Sequence, residues 1–203
     1  MKKLLFVVLC FLSITTINAQ EAADYKFTLD QDGECEISDT ITIQVSKATC
    51  YRLIKSWIYA SKNNIDLDIQ KDVKDEELAF RNTFVIEKRF NSFAGEYSNN
   101  LETRWRFKLL DDGRLAYKIY HISLVKSYNV AVVNKLPVAE RINKINIAKQ
   151  EIERINNDTK MSKSERRAAI EEQNATLEDA ELLGKGYDVL QERLNAIISQ
   201  IHW

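Results

Sequence analysis

The sequence is poor in the residues that punctuate a chain. One proline and five glycines among 203 residues exclude a collagen-like or low-complexity chain and argue against long disordered linkers. There are two histidines, His121 and His202, and neither belongs to an H-x-x-x-H or C-x-x-C pattern, so no zinc-ligand spacing is present. No G-x-S-x-G segment exists to expose a nucleophile at a strand–turn–helix junction, and Ser92-Phe93-Ala94-Gly95 does not substitute for one. No glycine-rich phosphate loop is present. Charge of one sign is missing too: 29 Lys+Arg stand against 30 Asp+Glu. That balance argues against a general polyanion binder and makes nucleic acid a poor partner. Beyond the first dozen residues no stretch approaches the roughly 20 apolar residues needed to cross a bilayer, so the mature chain is expected to be soluble and not an integral membrane protein.

What is present begins with an address. MKKLLFVVLCFLSITTINAQ has the positive end (Lys2, Lys3), the apolar run (Leu4 to Leu12) and the polar, small-residue end (Ser13 to Ala19) of a secretory signal peptide. Cleavage is expected after Ala19, so that the mature protein starts at Gln20 and is exported to the periplasm or beyond. Cys10 follows Val8 and Leu9, not small residues, and reads as part of the apolar run, not as a lipid-anchoring cysteine. Loss of Lys2 and Lys3 leaves 27 cations against 30 anions, a net of −3. Cys35 and Cys50 remain. In an oxidising compartment they can form a disulfide, closing a loop of about 15 residues worth about 3 kcal/mol on the chain-entropy model. The alternative is two separate thiols, Cys35 in a strand and Cys50 on a helix. Neither has a histidine or cationic cluster beside it in sequence, which disfavours a thiol nucleophile.

The mature chain divides into a sheet-forming part, 20–133, and a helical part, 134–203. Tyr25 to Leu29 alternates, Asp32-Gly33 signals a turn, and Thr40-Ile41-Thr42-Ile43-Gln44-Val45 alternates again. Ser46 is placed to cap a helix running to about Asn63, with Cys50, Leu53, Ile54, Trp57, Ile58 and Ala60 as its apolar stripe. Further strands are expected at Ile65–Gln70, around Leu78–Glu87, and in the hairpin Arg104–Leu109/Leu115–His121 turned by Asp111-Asp112-Gly113. Asn91 to Asn100 reads as a polar loop. Pro137 suits the first turn of a helix striped by Val138, Ile142, Ile145, Ala148, Ile152 and Ile155, which Asn156-Asn157-Asp158 ends. Ser162 and Glu165 form a capping box for a second helix, which Gly184 and Gly186 are expected to kink or split. The expected fold is α+β: an antiparallel sheet with helices packed on one face, followed by a C-terminal helical hairpin whose first helix packs on the sheet.

The order of Thr40–Val45, the helix bearing Trp57, Phe84-Val85-Ile86, and Trp105–Leu109 paired through Asp112-Gly113 with Tyr117–Ile122 resembles a family of uncharacterised bacterial exported domains described as having a TATA-binding-protein-like fold. The resemblance spans roughly residues 38 to 126. It implies a curved antiparallel sheet backed by helices and supplies no activity, cofactor or catalytic residue. A fold name does not carry a function.

Several residues are candidates for chemistry. Asp66, Asp68, Asp72 and Asp75 are close in sequence but lack the glycine and glutamate of a calcium loop, so they read as an acidic solvent edge. His121 reads as a half-buried structural histidine near a strand end. Arg81, Arg104, Arg106 and Lys118 fall on the polar positions of three successive strands and can grip an anionic glycan, a lipid head group or an acidic partner. Alternatively they form a solvated face paired across strands with Glu87 and Glu102. No catalytic residue, metal ligand or cofactor is assigned. The expected function is a non-catalytic envelope protein acting by binding or assembly. The alternatives are an oligomeric scaffold that self-associates through its C-terminal helices and a hydrolase whose cleft gathers distant residues.

Overall fold

In a computed structural model, residues 27, 29, 32–60, 64–91, 95–129 and 131–201 are described. The expected signal segment 1–19, with Cys10, and also His202 lie outside these residues. The chain order is β1 (Ile37–Thr42), α1 (Lys47–Ala60), β2 (Asn64–Val73), β3 (Glu77–Asn91), β4 (Gly95–Leu109), β5 (Arg114–Tyr128), β6 (Ala131–Pro137), α2 (Val138–Asn157) and α3 (Lys163–Ile201). The fold is α+β, as expected: one six-stranded antiparallel sheet, helices, and a C-terminal helical hairpin.

Local chemistry sets the helix ends. The Thr49 amide donates to Ser46 Oγ at 3.2 Å at the start of α1. At α3 the Glu165 amide donates to Ser162 Oγ at 3.3 Å while the Ser162 amide donates to Glu165 Oε2 at 2.9 Å, the reciprocal bonds of a capping box. Pro137 stands one position before the first helical residue, in extended conformation (φ −53°, ψ 141°). It therefore closes β6 and opens α2 at once. β6 itself runs across the expected boundary at 133/134.

The sheet order is β1-β5-β4-β3-β2, with β6 also on β5. β1 registers with residues 114–119 of β5 and β6 with residues 123–128, so two short strands share the outer edge of one long one. β3, β4 and β5 are each 15 residues, roughly 50 Å at about 3.4 Å per residue. β3 and β4 are longer than expected because β3 continues to Asn91 and β4 starts at Gly95, so that residues 95–100, expected in a polar loop, are strand.

Two bulges change which face the side chains take. In β5 the register moves from Glu102↔Ser123 to Arg104↔Tyr120, so His121 and Ile122 together oppose Thr103. His121 has φ +49°, is exposed, and lies mid-strand, neither half-buried nor near the strand end as expected. Before the bulge the odd residues Leu115 and Ile119 enter the core; after it the even residues Ile122 and Leu124 do. In β3 the shift between Val85 and Glu87 turns Glu87 to the helix side, where its carboxylate lies 3.9 Å from Lys185 of α3. One added residue reverses the alternation, which the period-2 expectation did not allow for.

The core lies between the sheet and the helices. Trp105 is stacked with Phe80 and Phe107 and tilted against Trp57 of α1. Its indole N–H donates to Thr103 Oγ1 at 2.7 Å, which removes the cost of a buried donor. Val138, Ile142 and Ile145 of α2 and Leu183, Leu190, Leu194, Ile197 and Ile201 of α3 belong to the same buried cluster as the sheet residues. Asp179, 1 % exposed, bonds Lys126 of β5 and Arg141 of α2, each at 2.7 Å, tying sheet and both long helices together. α3 is one helix of 39 residues; Gly184 and Gly186 do not split it. A Cβ at Gly186 would lie 3.1 Å from Ile86 Cδ1, so this glycine serves close helix–sheet approach and not a break.

Candidate functional site

Among the described residues no helix packs on the second face of the sheet, and alternation along β3, β4 and β5 fills it with polar side chains opposite the core residues. The register brings together the four cations expected there. Arg81 is directly opposite Arg104, and Arg106 directly opposite Lys118. Like charges in this relation repel, so counter-charges are needed. Arg81 pairs with Asp66 at 3.0 Å, Arg106 with Glu77 at 2.6 Å, and Lys118 with Glu36. These partners differ from the expected Glu87 and Glu102. Glu87 has been turned away by the bulge, and Glu102 is held by Lys135 at 2.7 Å. Burial pushes the Glu77 carboxyl up, but the hydrogen bonds from Lys71 and Arg106 outweigh it and hold the group below the usual glutamate range.

Two cations on this face, Arg104 and Lys108, have no carboxylate within ion-pair distance among the described residues. Lys108 was not singled out from sequence, although it continues the alternation of Arg104 and Arg106. With Arg106 and Lys118 it lines a shallow groove of about 480 Å³, whose far wall is Ser38 and Thr40 of β1. Asp39, Ala116 and Tyr117 complete the lining, so the groove gathers three cations, two aliphatic hydroxyls and one acidic residue.

Other clusters are closed on themselves. On the helix side a cavity of about 510 Å³ is lined by Glu87, Lys126, Glu181 and Lys185 among others. There Lys126 pairs with Asp179, and Lys185 with Glu181 at 2.7 Å, so its charges largely cancel. The acidic residues of β2 do not converge: Asp66 serves Arg81 on the open face, whereas Asp72 receives a hydrogen bond from Tyr51 Oη and another from Lys55 Nζ, at 2.6 Å, on the helix face. The bond to Asp72 raises the Tyr51 phenol above its ordinary value, and Lys55 holds Asp72 below its own. That arrangement clamps α1 to β2 and keeps the phenol protonated. Cys35, in an isolated bridge with Leu29, and Cys50, on α1, are both buried. Burial pushes Cys50 up to about 11. Among the described residues no group of three His, Cys, Asp or Glu is arranged to hold a metal ion, and no helix is long and apolar enough to cross a membrane.

No family model matches this chain, and no curated protein matches it. A solved structure similar to it is that of a DUF4468 family protein from Bacteroides ovatus, with 16 % sequence identity over 83 % of this chain and 88 % of that one, and a TM-score of 0.44. The TATA-binding-protein-like description is not confirmed by it, and a likeness at this level carries no argument about the site.

Proposed function

We propose that this is a non-catalytic, exported protein of the cell envelope that binds an anionic ligand on the open face of its sheet. The observation that carries this reading is the register. Arg81 faces Arg104 and Arg106 faces Lys118 across adjacent strands, while Arg104 and Lys108 lack carboxylate partners among the described residues. Directly opposed like charges destabilise a sheet. An anion seated on this face relieves that repulsion and completes the two unmatched cations. The non-catalytic half rests on the side chains best suited to attack. The Cys50 thiol is buried and pushed up to about 11, and the Tyr51 phenol is held protonated by Asp72; neither is an activated nucleophile.

The test is retention of the mature protein on immobilised heparin at about 50 mM salt, where exposed charges are screened only beyond roughly 14 Å. A chain of net −3 has no reason to be retained except through a local cationic patch. The native protein is expected to bind and to elute with added salt, and Arg104→Glu with Lys108→Glu to flow through. Retention unchanged by that pair, or no retention of the native protein, removes the open face as an anion site.

A further inference from the structure

The open face holds an aromatic ring among its cations, and the combination narrows the ligand. Tyr120 is directly opposite Arg104 and shares its face; it is half-buried. The Lys118 ammonium lies 5.7 Å from its ring centre, and the His121 ring centre lies 5.0 Å away.

The backbone beneath it is irregular in a specific way. His121 has φ +49°, a left-handed conformation that costs a residue other than glycine about 1–3 kcal/mol. The bulge it forms lets Ile122 enter the core while Tyr120 and Ser123 both stay on the open side, opposite Arg104 and Glu102. β1 ends its pairing with β5 at Ile119 and β6 begins at Ser123. Tyr120, His121 and Ile122 consequently form a notch in the sheet edge, with neither neighbouring strand paired to them. Strained backbone of this kind gathers at ligand-binding positions.

From the notch, Arg104, Arg106 and Lys108 run along β4 at alternate positions, about 6.8 Å apart. In the opposite direction the same face continues into a hollow of about 230 Å³ where Ser98, Asn100 and Ser127 stand with Lys88 and the carboxylates Asp66, Glu96 and Glu102, so an acidic chain is expected to run toward Lys108 and not into this hollow. A row of cations beside a half-buried tyrosine ring matches a ligand that is acidic and carries flat CH-bearing rings.

We propose, building on the anion-binding reading above, that the ligand is an acidic polysaccharide. Tyr120 stacks on a sugar ring, Arg104 binds the carboxylate or sulfate of that sugar, and Arg106 and Lys108 take the charges that follow along β4.

The experiment is calorimetric titration of the mature protein with oligogalacturonate, with a chondroitin sulfate oligomer, and with polyglutamate and phosphatidylglycerol vesicles as anions without sugar. At least one saccharide is expected to bind more tightly than polyglutamate or the vesicles. Its affinity is expected to fall about ten-fold in Tyr120→Ala, as for the loss of one aromatic contact, to stay near native in Tyr120→Phe, and to fall in Arg104→Gln. NMR spectra of the native protein decide the case if Tyr120→Ala fails to fold: the saccharide must shift the Tyr120 ring and Arg104 Nε signals. Equal binding of the sugar-free anions with no dependence on Tyr120 overturns the polysaccharide while leaving the anion site standing. Binding by none of the four, or indifference of all of them to Arg104→Gln, overturns both.

Discussion

Removing the Asp179 carboxylate tests whether the sheet and the helical hairpin are one cooperative unit. In Asp179→Leu the Arg141 guanidinium, 9 % exposed, keeps only Asn134 Oδ1 at 3.3 Å as a partner among the described residues, whereas Lys126, 34 % exposed, can turn to water. Breaking a buried ion pair by removing one partner costs about 3–5 kcal/mol, because it strands the other charge. Against a total of roughly 5–15 kcal/mol for a domain, that is a large share. At about 2–4 °C per kcal/mol for a chain of this size, it corresponds to a fall in Tm of roughly 6–20 °C. Arg141→Met is expected to cost less, since Asp179 keeps Lys126. The double variant Asp179→Leu/Arg141→Met is expected to recover most of the loss, as apolar replacement of a whole buried pair is often neutral. Urea unfolding followed by tryptophan emission, dominated by Trp105 and Trp57 in the sheet–helix core, and by far-ultraviolet circular dichroism reads both parts. One coincident transition that moves as a whole is expected. A loss under about 1 kcal/mol, a double variant worse than Asp179→Leu, or two separate transitions would refute the reasoning.

Three further outcomes are expected. Gly184 faces open space and Gly186 does not, so Gly184→Ala is expected to raise stability by up to about 1 kcal/mol from helix propensity, and Gly186→Ala to fall short of that gain in the same urea titration. Cys35 and Cys50 are buried thiols, so a thiol reagent at pH 8 should find almost none in the native mature protein and two after unfolding; none after unfolding would show that they are bridged. Glu77 is held below its ordinary value of 4.5, so its contribution to stability is fully present above about pH 5 and is lost as pH falls through the lowered value. Glu77→Gln is expected to flatten the acid limb of the stability curve, and an unchanged limb would show that Lys71 and Arg106 do not hold this carboxylate.

Some of the candidate site could be read in the sequence and some could not. The four cations were identifiable because Arg104, Arg106 and Lys118 alternate with core residues, and strand alternation is a local property. Their counter-ions were not, since Asp66, Glu77 and Glu36 reach them only through strand pairing. Lys108 was missed although the same alternation points to it. Tyr120 was missed because the regular phase through Leu115, Ile119 and His121 drew attention to His121. The signal was there: apolar positions shift from odd to even between Ile119 and Ile122, which is how a bulge looks from the sequence. In β3 no such signal exists, because residues 87–89 are charged in either phase.

The sequence by itself determined whatever depends on residues three or four apart. It set the Ser46 cap, the Ser162–Glu165 capping box, the Asp112-Gly113 turn and the apolar stripes of the three helices, because these contacts close within one or two turns of chain. The tertiary structure decided what lies farther apart. It set β1 and β6 end to end on β5, turned Glu87 to the helix side, left the Tyr120–Ile122 notch open between them, and buried Asp179 against Arg141 and Lys126. These outcomes follow from how long strands register and where α3 covers the sheet, and that is a competition among distant surfaces for burial which no local pattern encodes.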